Sequence, residues 1–567
     1  MTVIAAVSVW VFLVSARLTW ANRLGALLHL PSLERFEADE FAVGLRMVLN
    51  RLAGFETQIQ VLIVIVFAAL SVFEGGDRTY DLLNYHYVNG FLALHPGFQN
   101  IGASGIQGFF NPLIDVPTYL GYRYFSPAVV LFGFGLVQGL AFPLIYRIAR
   151  TIGTGKLTAY FAAGCGAFSA LAMSEMGLSL GDTTLAPLIL LAVLLIVRVA
   201  PDARTTVPFV AAGFLVALAT GLKLTTAPFL FGIVALVWFF TDSGRRIRRS
   251  LLLILGAAVG GLISFGWWAW HLLRIYHNPF YPMYNQYFRS SFAGVGLNNG
   301  VDDRVHGVAE FFYYPFEIMV HPLRTGAGAM RDYGFPVVEI LLVVAAAWWA
   351  VRSVRAGRPQ RVFNFRVTRA LCAFYLATYV VWVETTGIFR YMAPLEMLSF
   401  LMIAVLLGDL GATFDFTKVV PWVVGLCFAA ISLTQLSPIW MPRIPAPSSE
   451  FTVTLPALLS APRTSVVFAD GAPNTWIVPF LSHDDFVTRV YNWQITPLMA
   501  GLISSSIART GNPVAVWTDG STVQVIDSRL ALVNLKLDTT NCATFQGTAG
   551  GPTYTFAACR AITVSGG

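Results

Sequence analysis

The sequence is poor in charge and in cysteine. Only 12% of its 567 residues are charged, about half the share of an ordinary soluble domain. It has five cysteines and no Cys-x-x-Cys pair, so a zinc or redox site built on such pairs has no support. It also lacks short-period repeats and low-complexity stretches. These shortages exclude an ordinary soluble domain, a disordered chain, a coiled coil and a strongly charged nucleic-acid binder.

Apolar and aromatic residues are abundant instead, at 56% and 14% of the chain. A bilayer core needs roughly 20 apolar residues per helix. The sequence therefore predicts a polytopic α-helical membrane protein with about twelve transmembrane helices. The corresponding runs are 2–20, 57–74, 127–148, 157–176, 183–200, 206–222, 226–241, 250–272, 336–352, 369–386, 390–408 and 418–437.

Basic residues indicate which loops face the cytoplasm. If successive loops lie on opposite sides of the membrane, the loops of one side hold 21 of the 37 Lys and Arg residues. The positive-inside rule makes that side cytoplasmic. Because no Lys or Arg precedes the first apolar run, we expect an uncleaved anchor there. Residues 75–126, 273–335 and 438–567 then form large extracytoplasmic segments.

Three domains follow from this topology. Residues 1–56 hold an anchor and a cytoplasmic loop, and 57–437 form the main transmembrane domain. Residues 438–567 predict a small extracytoplasmic α/β domain, with strands at 464–469, 487–493 and 513–517 and helices at 497–510 and 522–535. We expect Cys542 and Cys559 to form a disulfide on this oxidising side.

Acidic residues cluster where the first outer loop begins. Asp77 and Asp81 are four residues apart and would share a helix face. From Asp81 onward the pattern predicts an interfacial helix, with Tyr85 and Tyr87 at the headgroup level and His86 between them. The alternative is that one aspartate caps this helix while the other pairs with Arg78.

Further polar residues fall on the same outer side: Asp182, Lys223, Arg304, Arg390 and Tyr391. Asp182 could be a helix cap, and the two cations at 223 and 390 could simply extend to the headgroups. Because charged groups near the membrane are costly, their gathering on one side favours a functional site. Nucleotide-activated donors are not expected outside the cytoplasm, whereas a sugar on a polyprenyl phosphate suits this location.

This layout resembles the GT-C class of integral-membrane glycosyltransferases, which includes protein O-mannosyltransferases and aminoarabinose transferases. The resemblance covers the topology of residues 57–440 and several short motifs. These motifs are Gly76-Asp77-Arg78-Thr79-Tyr80-Asp81, Gly181-Asp182, Gly221-Leu222-Lys223, Asn278-Pro279-Phe280-Tyr281-Pro282 and Phe389-Arg390-Tyr391.

The resemblance implies an inverting transfer from a polyprenyl-monophosphate sugar to a hydroxyl of a glycan, lipid or protein. Asp81 would be the general base, with Asp77 as second choice. The donor phosphate would contact Arg390, Lys223 and Arg304, and the substrates would contact Asp182, Tyr85, His86 and Tyr391. The active site would face the periplasm from a bacterial inner membrane.

Two departures from the class are an extra N-terminal span and carboxylates spaced Asp-x-x-x-Asp rather than adjacent. Some class members bind a divalent metal through several carboxylates. The sequence has no compact acidic cluster, so we predict no metal or other cofactor, and no nucleic-acid partner.

Three other functions fit parts of the pattern. A secondary transporter fits twelve spans, although transporters usually carry internal repeats and charges near the membrane centre. A ligase or flippase for lipid-linked oligosaccharides would show similar cations on the outer side. A non-catalytic membrane scaffold would need only its C-terminal tail, which would bind a partner. No motif specifies the sugar or the acceptor.

Overall fold

The computed structural model describes residues 55–295, 305–326, 330–355, 365–414, 443, 445–491, 493–518 and 520–564. The predicted spans at 2–20 and 418–437 lie outside these residues, as does Arg304.

Within the described residues, six helical segments are long and apolar enough to cross a membrane. They are Glu56–Glu74, Pro127–Thr151, Ser243–Tyr276, Gly334–Val351, Arg366–Thr385 and Phe389–Leu410. Shorter apolar helices occupy Asp182–Val197, Val207–Leu222 and Leu224–Phe240. Each of these segments overlaps a predicted apolar run.

In chain order, the helices and strands have the following bounds: α1 Glu56–Glu74, α2 Tyr87–Leu94, β1 Gln99–Ile101, α3 Val116–Tyr124, α4 Pro127–Gly139, α5 Ala141–Thr151, α6 Lys156–Ala167, α7 Ala170–Ser174, α8 Asp182–Val197, α9 Val207–Leu222, α10 Pro228–Phe240, α11 Arg246–Gly261, α12 Trp267–Tyr276, α13 Asn285–Phe288, α14 Val308–Val320, α15 Gly334–Arg355, α16 Phe365–Thr385, α17 Ala393–Phe414, β2 Phe451–Val453, α18 Ala457–Ser460, β3 Ser465–Phe468, β4 Phe486–Arg489, α19 Pro497–Thr510, β5 Pro513–Thr518, α20 Val523–Leu530, β6 Leu535–Ala549 and β7 Thr553–Thr563. Two π-helical turns lie at Leu82–His86 and Leu262–Gly266.

The predicted span at 157–176 is broken into the two short helices α6 and α7. The break is stabilised from a distant part of the chain. The hydroxyl of Ser169 and the backbone N–H of Leu171 (3.1 Å) both donate to the carboxylate of Glu396 on α17. This carboxylate satisfies backbone donors that a helix start leaves free.

Helices α9 and α11 pack with their backbones in contact. A Cβ added at Gly213 would lie 1.9 Å from the carbonyl oxygen of Leu253, and one added at Gly256 would lie 1.9 Å from that of Val210. Small residues permit such close approach between membrane helices. The contact fixes the end of α9, where Lys223 follows.

The C-terminal residues build a seven-stranded sheet in the order β1-β4-β3-β5-β7-β6-β2. Strands β1, β4, β3 and β5 are parallel, and the remaining pairs are antiparallel. A disulfide joins Cys542 on β6 to Cys559 on β7, and the two residues face each other in the register.

Strand β1 belongs to the first large loop rather than to the C-terminal segment. It pairs with β4 from Gln99 opposite Phe486, so the loop and the sheet share one hydrogen-bonded structure. The aromatic ring of Tyr87 also stacks on Phe451 of β2 at 4.1 Å between centroids. Tyr85 and Tyr87, which the sequence predicts at the headgroup level, are both buried inside the protein.

We predict that Gly256→Ala lowers the thermal unfolding temperature of the purified protein in detergent. Alanine normally favours a helix over glycine by about 0.5–1 kcal/mol, but here its methyl group would meet a backbone carbonyl, and overpacking costs about 1–3 kcal/mol. Gly261→Ala is the matched control, because nothing lies within 4 Å of a Cβ at that position. The control should unfold at the wild-type temperature or above it. Equal behaviour of the two variants would contradict the close packing.

Candidate active site

The segment that carries the acidic motif begins with a π-helical turn. Asp81 directly precedes the turn Leu82–His86, and the N–H of Tyr87 donates to the carbonyl of Leu82. Such i to i+5 turns are rare and are frequently found at functional sites. In an ideal α-helix, residues 81 and 86 would point about 140° apart. Here Asp81 and His86 line the same cavity.

Asp81 forms an ion pair with Arg390, which lies 309 residues further along the chain. Its Oδ2 atom is 2.8 Å from Nη1 of Arg390. Burial alone would raise the pKa of Asp81, but the charge of Arg390 outweighs it, so the pKa is lowered. Asp81 is therefore ionised beside Arg390.

Arg390 occupies a position that helix stability does not explain. It lies in the 3₁₀ turn Phe389–Met392, directly before α17. A cation at the start of a helix faces the positive end of the helix dipole and is disfavoured there. Its placement depends on Asp81 and on the ring of Tyr391, 5.3 Å from the guanidinium carbon.

Lys223 supplies a second cation to the same cavity. Its Nζ atom is 2.7 Å from Oδ1 of Asp182 and donates to the carbonyl of Leu180 at 2.5 Å. It also lies 5.5 Å from the ring centre of Tyr391, so one ring contacts both cations. Asp182 is buried behind Lys223 and is not part of the cavity lining.

His86 forms a short contact with an aspartate that the sequence analysis did not single out. Its Nδ1 atom lies 2.5 Å from Oδ1 of Asp115, and both side chains are buried in the cavity wall. Burial raises the pKa of Asp115, while the neighbouring imidazole opposes that rise. The ring of Tyr85 lies against the imidazole at 4.1 Å.

Asp77 has a different environment from Asp81. Its Oδ1 accepts hydrogen bonds from N (3.0 Å) and Oγ1 (2.8 Å) of Thr79. Its Oδ2 accepts from N (2.8 Å) and Oγ (2.7 Å) of Ser179. Asp77 is fully buried and is not part of the cavity lining. This geometry favours Asp81 over Asp77 as the reactive carboxylate.

The C-terminal segment holds the π-turn from the side opposite the cavity. The hydroxyl of Thr475 donates to the carbonyl of Asn84, and the buried Arg489 at the end of β4 lies close to Tyr80. Trp476 is fully buried beside Phe451 at 5.6 Å between ring centres. The C-terminal segment thereby fixes the position of the acidic motif.

The cavity itself has a volume of about 630 Å³, within the range of small-molecule sites. Its charged lining consists of Asp81, His86, Asp115, Lys223, Glu384 and Arg390, and its aromatic lining of Tyr85, Phe109, Phe110, Phe265, Phe280, Tyr281, Tyr284, Tyr287 and Tyr391. Of the predicted site residues, Asp81, Tyr85, His86, Lys223, Arg390 and Tyr391 meet here. Arg304 lies outside the described residues.

Two residues of the site, Asp115 and Asn111, were missed by sequence reasoning. Asn111 donates to the carbonyls of Gly221 (2.6 Å) and Ser264 (2.8 Å) and so joins the first loop to α9 and to the second π-turn. Both residues lie in the Asn-Pro-Leu-Ile-Asp-Val-Pro stretch, whose two prolines were the available signal. Within the part of the chain that the structure describes, no group of three or more His, Cys, Asp or Glu side chains could hold a metal ion.

Comparison with known proteins gives one family match. A model of the dolichyl-phosphate-mannose-protein mannosyltransferase family matches residues 121–270, a segment that includes Asp182 and Lys223. This match confirms the resemblance to the GT-C class of membrane glycosyltransferases. A search of curated proteins found no match.

Two solved structures are similar over most of the chain. Both are ArnT from Cupriavidus metallidurans, one in the apo state and one bound to undecaprenyl phosphate. Each is 13% identical, and the alignment covers 89% of this chain and 98% of ArnT. The TM-scores are 0.48 for the apo structure and 0.42 for the bound one.

We predict that Asp77→Asn destabilises the protein by about 2–3 kcal/mol. The new amide group would face backbone and hydroxyl donors, and each buried donor left without an acceptor costs about 1–3 kcal/mol. Thermal unfolding in detergent measures the change. Asp484→Asn, at an exposed position, is the control and should unfold like the wild type. A stable Asp77→Asn variant would mean that these four hydrogen bonds contribute little.

Proposed function

We propose that this protein transfers a sugar from a polyprenyl-monophosphate carrier to an acceptor hydroxyl, with inversion, on the extracytoplasmic side of a bacterial inner membrane. The observation that carries the proposal is the convergence of Asp81, Arg390 and Lys223 in one cavity. A carboxylate and two cations are the groups that such a transfer needs.

The cations suit the phosphate group of such a donor. Arg390 and Lys223 contact the same tyrosine ring, and each is already paired with a carboxylate. Charge-assisted hydrogen bonds from arginine and lysine are strong and are typical of phosphate recognition. An incoming phosphate would compete with Asp81 for Arg390. Losing that pairing would make Asp81 a stronger proton acceptor when the donor is bound.

The cavity wall next to α12 suits a lipid-linked donor. Phe265 of the second π-turn lines the cavity, while Leu262 and Ile263 in the same turn are 70% and 60% exposed. Trp270 on α12 is 61% exposed. A large exposed apolar surface on such a chain is suited to lipid contact, so a polyprenyl tail can remain in the bilayer while its phosphate enters the cavity.

The transfer needs one proton acceptor, because phosphate is already a good leaving group. Asp81 would take the proton of the acceptor hydroxyl as general base. The acceptor oxygen then bonds to the anomeric carbon, and the bond from that carbon to the phosphate oxygen breaks. The electron pair leaves on the phosphate, beside Arg390 and Lys223. The products are the glycosylated acceptor and the free polyprenyl phosphate.

Arg390→Ala should weaken donor binding at least tenfold, because it removes a cation from the wall of the cavity. The measurement is the KM for a polyprenyl-monophosphate sugar in a reconstituted transfer assay. Arg274→Ala removes an exposed cation at the end of α12 that is not part of the cavity lining and should leave this KM unchanged. An unchanged KM in Arg390→Ala would remove the phosphate role.

Asp81→Asn should lower kcat by about 10²-fold or more, the usual contribution of a general base. Turnover is measured with the same donor after the variant is shown to unfold at a temperature close to the wild type. A pyrophosphate-linked donor is tested in parallel. Near-normal turnover in Asp81→Asn would exclude the base, and product from the pyrophosphate donor alone would indicate a ligase.

A further inference from the structure

We infer that His86 and Asp115 form a proton relay that takes up the proton released in the transfer, an inference that rests on the proposed function. His86 would be the terminal proton acceptor, and Asp115 would be its positioning residue. The two side chains are 2.5 Å apart and buried in the wall of the cavity that holds Asp81.

The hydrogen bond to Asp115 determines which nitrogen of His86 is available. A carboxylate only accepts hydrogen bonds, so Nδ1 of the neutral imidazole must carry the hydrogen. The other nitrogen, Nε2, then presents a lone pair. This Nε2 atom is buried and has no hydrogen-bond partner among the described residues. A buried acceptor without a partner is costly unless a ligand or a proton uses it.

Asp115 is placed for this contact rather than for capping a helix. It occupies the N-cap position of α3, where an aspartate usually accepts a hydrogen bond from the first turn. Its side chain makes no such cap bond and binds His86 instead. An orienting carboxylate behind an imidazole is the arrangement that fixes a catalytic base in many hydrolases.

The π-turn places the histidine on the same cavity wall as Asp81. Because Arg390 favours the ionised form of Asp81, we do not expect Asp81 to retain the proton that it receives. His86 lines the same cavity, and its Nε2, which has no partner among the described residues, is the acceptor to which a proton received by Asp81 can pass.

The electrostatic surroundings of His86 come from several elements. Asp115 precedes α3, and Asp81 precedes the π-turn itself. Lys223, after α9, acts on both Asp81 and Asp115, and Arg390 pairs with Asp81.

In the proposed order of proton transfers, the hydroxyl proton moves to Asp81 as the sugar is transferred. It then moves to Nε2 of His86, and the imidazolium beside Asp115 later releases it to water.

The experiment uses the full-length protein in lipid nanodiscs and combines kinetics with nitrogen NMR of labelled histidine. His86→Gln should lower kcat by about 10–100-fold, less than loss of the primary base, with donor KM within twofold of wild type. It should also change the acidic limb of the kcat profile against pH, of which the part set by Asp81 remains. His95→Gln is the control, because His95 lies at the end of α2 and contacts the carbonyl of Phe91, away from the cavity lining.

The NMR measurement does not depend on turnover. The His86 signal is identified by its absence from the spectrum of His86→Gln. In the wild type at neutral pH, this signal should show a protonated Nδ1 and an unprotonated Nε2. Asp115→Asn should lose this tautomer preference and part of kcat, and Asp115→Glu should restore both in part. A protonated Nε2, or a His86→Gln enzyme with wild-type kcat and pH profile, overturns the relay. Absence of product from the wild type with every monophosphate donor overturns the proposed function instead.

Discussion

The ion pair between Asp81 and Arg390 is the interaction on which the candidate site depends. It joins the first large loop to the start of α17, across 309 residues of chain. The pair is partly buried, because 17% of the Arg390 side chain and 11% of the Asp81 side chain are exposed. It therefore helps to hold the loop against the helices. It also keeps Arg390 in the cavity at a helix start that would otherwise repel it.

The loop that carries Asp81 is held on two sides. The transmembrane part supplies Arg390 and Lys223, and the C-terminal segment supplies Thr475 and Arg489. Strand β1 makes the loop part of that sheet. Because precise placement of a catalytic group can contribute several kcal/mol to a reaction barrier, the proposed transfer would depend on the C-terminal segment even without contact between that segment and the substrate.

Much of this arrangement was predictable from the sequence, and the remainder depends on distant contacts. The distribution of basic residues put Asp81, Lys223 and Arg390 on one side of the membrane, and the structure brings them into one cavity. The break in the run 157–176 could not be seen locally, because the carboxylate that stabilises it belongs to Glu396. The π-turn has no sequence signature. Strand β1 is only three residues long and exists because β4 pairs with it.

The two aspartates of the Asp-x-x-x-Asp motif have different surroundings in the structure. Asp77 accepts four hydrogen bonds from Thr79 and Ser179 and is not part of the cavity lining. Asp81 lines the cavity and pairs with the guanidinium of Arg390. In the proposed transfer, an incoming phosphate would compete for that guanidinium, whereas the backbone and hydroxyl donors around Asp77 would keep their acceptor. The proposal therefore gives a structural role to Asp77 and the chemical role to Asp81.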